Sequence, residues 1–187
     1  QFYMKNHEQI PTWIMIKVVN FSTFIDVLHN SKTNVTHAIC KLYSMYDDHN
    51  LPNVKLLIGS LHWLRRVRNS CAHNERVYCI HQTQARNNSA SGRILDPYYA
   101  QLPTSYSRCT EKNIFDILIY FKYFLPKEEF APMIMELKNM LIELQNTLQP
   151  NAFDNVRGQM GIKNLNVLDT LIALPKSKIE YHKFDTL

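Results

Sequence analysis

The sequence predicts an all-α bundle of five or six helices, and three observations predict it. Apolar residues recur at helical spacing over most of the chain. The 187 residues are 45% hydrophobic with only 4 glycines and 8 prolines, which excludes collagen-like, low-complexity and disulfide-scaffold classes. A chain of this length buries about 70% of the surface its unfolded form exposes, so a single domain spanning residues 1–187 needs no metal or disulfide for stability.

The elements follow in order. Trp13, Ile14, Ile16, Val18, Phe21, Phe24, Ile25 and Leu28 recur after Pro11 and Thr12, a first turn and cap, and predict a helix over about 12–29. A second is expected over about 34–48, with Ala38, Ile39, Leu42, Tyr43 and Tyr46 on one side and Asn50, Leu51 and Pro52 closing it. A third starts at Asn53, a good N-cap, and carries an apolar stripe of Leu56, Leu57, Ser60, Leu61, Leu64, Val67 and Cys71. Its opposite face holds His62, Arg65, Arg66 and Asn69. From about His81 to Thr110 the pattern gives way to Gln, Asn, Ser, Gly and Pro, a long polar loop of the kind that flanks a working surface. Periodicity resumes over Ile114–Leu125 and again over Lys127–Leu148, two long antiparallel helices joined at Pro126, with Ile134, Leu137, Leu141, Leu144 and Leu148 on the second stripe. Asn164 to Leu174 is expected to form one more short helix, and Asn155, Arg157 and Gln159, near Gly158 and Gly161, are expected in a polar turn before it.

The balance of 21 Lys+Arg against 16 Asp+Glu gives a net charge of +5, a mild bias toward anionic partners. Four scattered cysteines without a secretory leader read as free thiols in a reducing cytoplasm. The apolar runs are interrupted by Lys17 and Asn20, and by Asp116 and Lys122, so no membrane span is expected. The chain begins at Gln1 and meets an apolar segment almost at once, which suggests a missing natural N-terminal extension. Glycines at 59, 92, 158 and 161 lack phosphate-loop spacing, and no cofactor is expected.

Reactive side chains concentrate between Leu64 and Arg76, where four arginines and a histidine fall within thirteen residues. Arginine pairs bidentately with phosphate and is always charged, while histidine exchanges protons near neutral pH. Together they supply the parts of RNA cleavage without a metal. A base removes the 2′-OH proton, the oxygen attacks phosphorus, and a cation stabilises the phosphorane. DNA lacks that hydroxyl. On an unbroken helix Arg68 and His73 diverge by about 140° around the axis and about 7.5 Å along it. Either the helix breaks near Cys71–Asn74, or a second copy completes the site across a two-fold axis, and the homodimer is the favoured expectation.

Arg68-Asn69-Ser70-Cys71-Ala72-His73 resembles the Arg, four residues, His motif of HEPN domains, including the Asn after the Arg. Leu64 to Tyr78 is similar to the version in the Abi-like proteins of bacterial abortive infection. Pro11-Thr12-Trp13, the Tyr-containing helix around Tyr43–Asp47, and the two long helices after the loop fit that layout. The resemblance implies a dimeric HEPN ribonuclease leaving 2′,3′-cyclic phosphate and 5′-OH ends, acting as a toxin or phage-defence effector. It implies Arg68 as the phosphate and transition-state cation, His73 as general acid or base, and Asn69 as orienter. Arg65, Arg66, Asn74 and Arg76 are candidates for holding the RNA backbone. An antitoxin, RNA or protein, is a further candidate partner.

Competing readings stand beside these. A non-catalytic HEPN module binding RNA or a partner protein would use the same basic face. Arg68 taken alone reads as a salt bridge, His73 and Asn74 as a helix end, and Asn69 as a cap or a solvated side chain. Cys71, His73, Cys79 and His81 suggest zinc, but a Cys-x-His pair on a helix diverges, so no metal site is assigned and Cys71 reads as buried in the stripe. Arg86, Arg93, Tyr98, Tyr99, Tyr106 and Arg108 in the loop suit either a single-stranded nucleic-acid surface or a loop pinned by tyrosines.

Overall fold

The computed structural model describes residues 19–47, 49–83, 98, 101–103 and 111–175. Among them lie seven α-helices: α1 (Phe21–His29), α2 (Thr33–Leu42), α3 (Val54–Ala72), α4 (Ile114–Phe124), α5 (Lys127–Thr147), α6 (Pro150–Gln159) and α7 (Asn166–Ala173). A 3₁₀ turn spans Val77–Cys79, and a two-residue antiparallel ladder pairs β1 (Gln82–Thr83) with β2 (Glu111–Lys112). The fold is the expected all-α bundle, with one helix more than the highest number anticipated.

That extra helix is α6, where a polar turn was expected. Pro150 occupies its first turn, where a missing N–H is harmless, Phe153 is its buried side chain, and the C-cap Met160 is buried as well. Two other boundaries also moved. Asn20 is extended (φ −70°, ψ 160°) and its side chain accepts the Thr23 N–H at 2.8 Å, so α1 starts at Phe21 and does not continue from the preceding apolar run. Residues 12–18 of the expected first helix lie outside the described residues. The second helix stops at Leu42. Ser44 takes φ 55°, its N–H bonds Lys41 O, and Met45 N–H reaches back to Cys40 O at 2.8 Å. This is a Schellman end, sealed by the fully buried Met45 and Cys40 side chains. The chain then turns tightly through Asp47, whose carboxylate accepts the His49 and Leu51 N–H groups at 2.9 Å each, and delivers Asn53 as N-cap of α3.

Helix α3 is the axis of the fold, packing against α1, α2 and α4, while α5 contacts α4, α6 and α7. Buried side chains from all seven helices and their connections include the fully enclosed Ile25, Cys40, Met45, Ile119, Ile134, Leu168 and Leu171. At about 25 cal/mol per Å² of apolar area, such burial dominates the stability of a bundle. The two charges that interrupt the α4 apolar run are themselves buried and employed. Asp116 accepts the Asn113 N–H at 2.8 Å in a capping box. Lys122 Nζ donates to Leu171 O at 2.6 Å, between the rings of Tyr98 and Phe130. Tyr98 is buried against Tyr123, as a tyrosine pinning the long loop should be. Arg86, Arg93, Tyr99, Tyr106 and Arg108 lie outside the described residues. No described helix is long and apolar enough to cross a membrane.

Candidate functional site

The site grows from one face of α3. His62, Arg65, Arg66, Asn69 and His73 fall within about 100° of arc at 3.6 residues per turn. With Gly59, Trp63, Ser70, Glu75 and Lys112 they line an open cleft of about 690 Å³. Three fixed cations, Arg65, Arg66 and Lys112, face one carboxylate, Glu75, so the cleft favours an anion.

Its floor is held by buried contacts. Trp63 is 2% exposed and its Nε1–H donates to Asn113 O at 3.1 Å, fixing α3 against the start of α4. Arg66 lies over the same ring, with its guanidinium carbon 5.5 Å from the centroid. Arg65 donates to Ser22 Oγ, which ties it to α1. Lys112 comes from the ladder that closes the long loop, and its Nζ sits 5.6 Å from the Tyr120 ring centroid. Burial pulls His62 below the ordinary imidazole range, reinforced by Arg65, His29 and Lys112 and opposed by Asp26.

At the other end α3 stops in a second Schellman motif. His73 is the C-cap (φ −93°, ψ 7°), Asn74 is left-handed at φ 55°, and the Asn74 and Glu75 N–H groups bond Cys71 O and Ser70 O at 3.1 and 2.9 Å. His73 is therefore presented to the cleft by the end of the helix, at the C-terminal end of the α3 face that lines it. The break falls too late to swing Arg68 toward it. Arg68 is exposed, does not line the cleft, and reaches it through Nη1 donating to Asn69 Oδ1 at 3.1 Å. That bond occupies the Asn69 oxygen and leaves the amide NH₂ as the donor this side chain offers an anion.

Of the expected residues, the structure thus gathers Asn69, His73, Arg65 and Arg66 in one cleft and leaves Arg68, Asn74 and Arg76 outside its lining. Asn74 forms the helix stop, and the Arg76 carbonyl accepts the Cys79 thiol at 3.3 Å. Cys71 is exposed, correcting the expectation of a buried stripe residue, because the last turn of α3 extends past the side chains that cover its earlier turns. His62, Trp63 and Lys112 join the site beyond the expected set. His62 had a legible signal, since its position falls on the Asn69–His73 face, whereas Trp63 lies about 80° or more around the helix from both, and Lys112 had none, because a ladder across the loop brings it in. Among the described residues no three of His, Cys, Asp and Glu group closely enough to hold a metal ion.

Residues 1–79 match the family model described as Abi-like protein, a stretch that includes α1, α2, α3 and the 3₁₀ turn and so all of the cleft except Lys112. Comparison with curated proteins and with solved structures gives no match for either.

Proposed function

We propose that this protein, whose residues 1–79 match the family model described as Abi-like protein, is a HEPN endoribonuclease that serves as a toxin or abortive-infection effector. The observation that carries the reading is the cleft that sets His73 and Asn69 beside the cations Arg65, Arg66 and Lys112. A phosphodiester drawn into this field would meet the His73 imidazole at the α3 end of the cleft. The 2′-oxygen loses its proton to a base and bonds to phosphorus. The P–O5′ bond then breaks, and the departing oxygen takes a proton from an acid, giving 2′,3′-cyclic phosphate and 5′-OH ends. The attacking group belongs to the substrate, so the reaction requires no metal-bound water. His73 serves as one of the two proton-transfer groups, the Asn69 amide orients a phosphate oxygen, and Arg68 offsets charge on the phosphorane.

Within its own protomer Arg68 stands about 140° away from His73, so the cation is supplied by a second copy across a two-fold axis. Purified protein is expected to cut mixed RNA in EDTA to those ends, and Arg68→Ala and His73→Ala are each expected to lose activity with the fold intact. Loss of an acid or base removes about 10²–10⁴-fold. Mixing the two inactive variants is expected to return about a quarter of the wild-type rate through exchanged protomers. Undiminished cleavage by either variant refutes the assignment.

The exposure of Arg68 outside the cleft lining favours one other reading, a non-catalytic module of a defence or toxin–antitoxin system that binds RNA or a partner protein through the same cleft. An RNA-binding module would retard RNA in a gel without shortening it.

A further inference from the structure

We propose that the His62 end of the cleft is a second phosphate subsite, formed by Lys112, Arg65 and His62, which grips the RNA strand away from the point of cleavage and makes the protein prefer oligonucleotides over dinucleotides. The inference rests on the RNA reading above. His62 and His73 are eleven residues apart on α3, about 16 Å along the axis. Proton donors and acceptors in catalysis work within about 3 Å of the atoms they serve, so the two histidines cannot act on one phosphodiester.

The far end is nevertheless built for an anion. Lys112 is carried there by the β1–β2 register, which pairs it with Gln82. Its Nζ lies 3.8 Å from where a Cβ on Gly59 would stand, so the absent side chain keeps the surface beside the ammonium open. Arg65 is fixed by Ser22. Glu75, the lining carboxylate, belongs to the His73 end. The groups acting electrostatically on His62 are Arg65 on its own helix, Asp26 and His29 on α1, and Lys112 on β2. Three of those four carry or can carry positive charge, and their joint effect with burial is to keep the ring neutral near pH 7. There it can donate or accept a hydrogen bond without demanding a counter-ion.

The test measures binding of 2′-O-methyl RNA, which lacks the attacking hydroxyl, as a dinucleotide and as an octanucleotide over a range of salt. Wild type is expected to bind the octamer more tightly. For Lys112→Gln the slope of log K against log salt should fall by about 0.7 on the octamer, the loss of one single-strand phosphate contact, and stay unchanged on the dinucleotide. Lys112→Arg should restore it. Gly59→Glu, which sets a carboxylate beside Lys112 at a helical position that tolerates a side chain, should reproduce the octamer-selective loss without depending on the Lys112 variant folding. Unchanged octamer slopes in both Lys112→Gln and Gly59→Glu, or equal losses on both lengths, overturn the subsite while leaving the RNA reading in place. Failure of wild type to bind either length overturns both.

Discussion

Gly161 and Gly158 stand three residues apart at the end of α6, and replacing each with alanine should move stability in opposite directions. Gly161 is the left-handed residue (φ 80°) of a third Schellman stop, in which the Gly161 and Ile162 N–H groups bond Gly158 O and Arg157 O at 3.0 and 3.1 Å. An L residue in that region costs about 1–2 kcal/mol. A Cβ there would also overlap the Asn113 carboxamide, whose Oδ1 caps α4 by accepting the Phe115 N–H at 3.0 Å. Losing such a cap costs about 0.5–2 kcal/mol. Together Gly161→Ala should lose roughly 1.5–4 kcal/mol. For a chain of this size that corresponds to a fall in Tm of about 3–16 °C. Gly158 lies inside the helix with nothing within 4 Å of a built Cβ. Gly158→Ala should therefore gain about 0.5–1 kcal/mol and raise Tm by about 1–4 °C. Thermal melts followed by circular dichroism at one protein concentration decide the matter. A Gly161→Ala variant melting at or above wild type would refute the reasoning that this turn, packed on the α4 cap, sets the geometry around Trp63 and Lys112.

Three further outcomes are expected. Asn74→Gly should leave Tm near wild type while Asn74→Ala loses about 1 kcal/mol, because Asn74 holds the left-handed stop of α3; RNA affinity retained in Asn74→Gly would assign the residue to the helix end and not to backbone contact. A maleimide at pH 7.5 should label exposed Cys71 quickly and spare Cys40, whose thiol burial pushes up to about 11, until the protein unfolds; mass mapping of labelled peptides checks this. His62 has its pKa lowered by folding, so the unfolded chain binds more protons just below the ordinary value of about 6.5. Its contribution to stability is thus complete above that value and declines as pH falls through the window beneath it. Urea titrations at pH 7.5 and 5.5 should show that dependence shrink in His62→Gln, and an unaltered dependence would contradict the shift.

What could be read in the sequence was what local signals encode. Asn53 before an apolar stripe, and Pro126 between two periodic runs, marked real boundaries because caps and prolines act within a few residues. The premature stop of α2 carried no such mark, since Ser44 is an uncommon residue for φ 55° and the nearby Pro52 drew the expected end too far. Asn20 was equally hidden inside an apolar run, where periodicity continued across a break that only its dihedrals reveal. Helix α6 was missed because Phe153, Val156 and Met160 are too few to make a stripe, although Pro150 at its start was a usable sign. Periodicity also says which side of a helix is apolar and not where its neighbours end, which is how Cys71 was misplaced.

The candidate site divides along the same line. Asn69 and His73 share a face because they are four residues apart, and that spacing is visible in the sequence. The same arithmetic, applied to Arg68, separates it from His73 whatever the tertiary fold, as long as the helix runs through Cys71. It does so, ending only at Ala72 with His73 still near-helical. A break one turn earlier would have let a single chain join the two groups. The late stop therefore carries a consequence: one protomer presents a cation-lined cleft that includes His73, and the arginine of the motif stays outside its lining, touching it only through Asn69. On the proposed reading, the arginine that acts on a phosphate held beside His73 comes from another molecule. The RNA-cleaving reading accordingly requires a pair of copies related by symmetry, whereas a binding module needs none. Cleavage rate per protein that stays constant on dilution to a demonstrably monomeric state, measured by light scattering alongside product formation, would break that link.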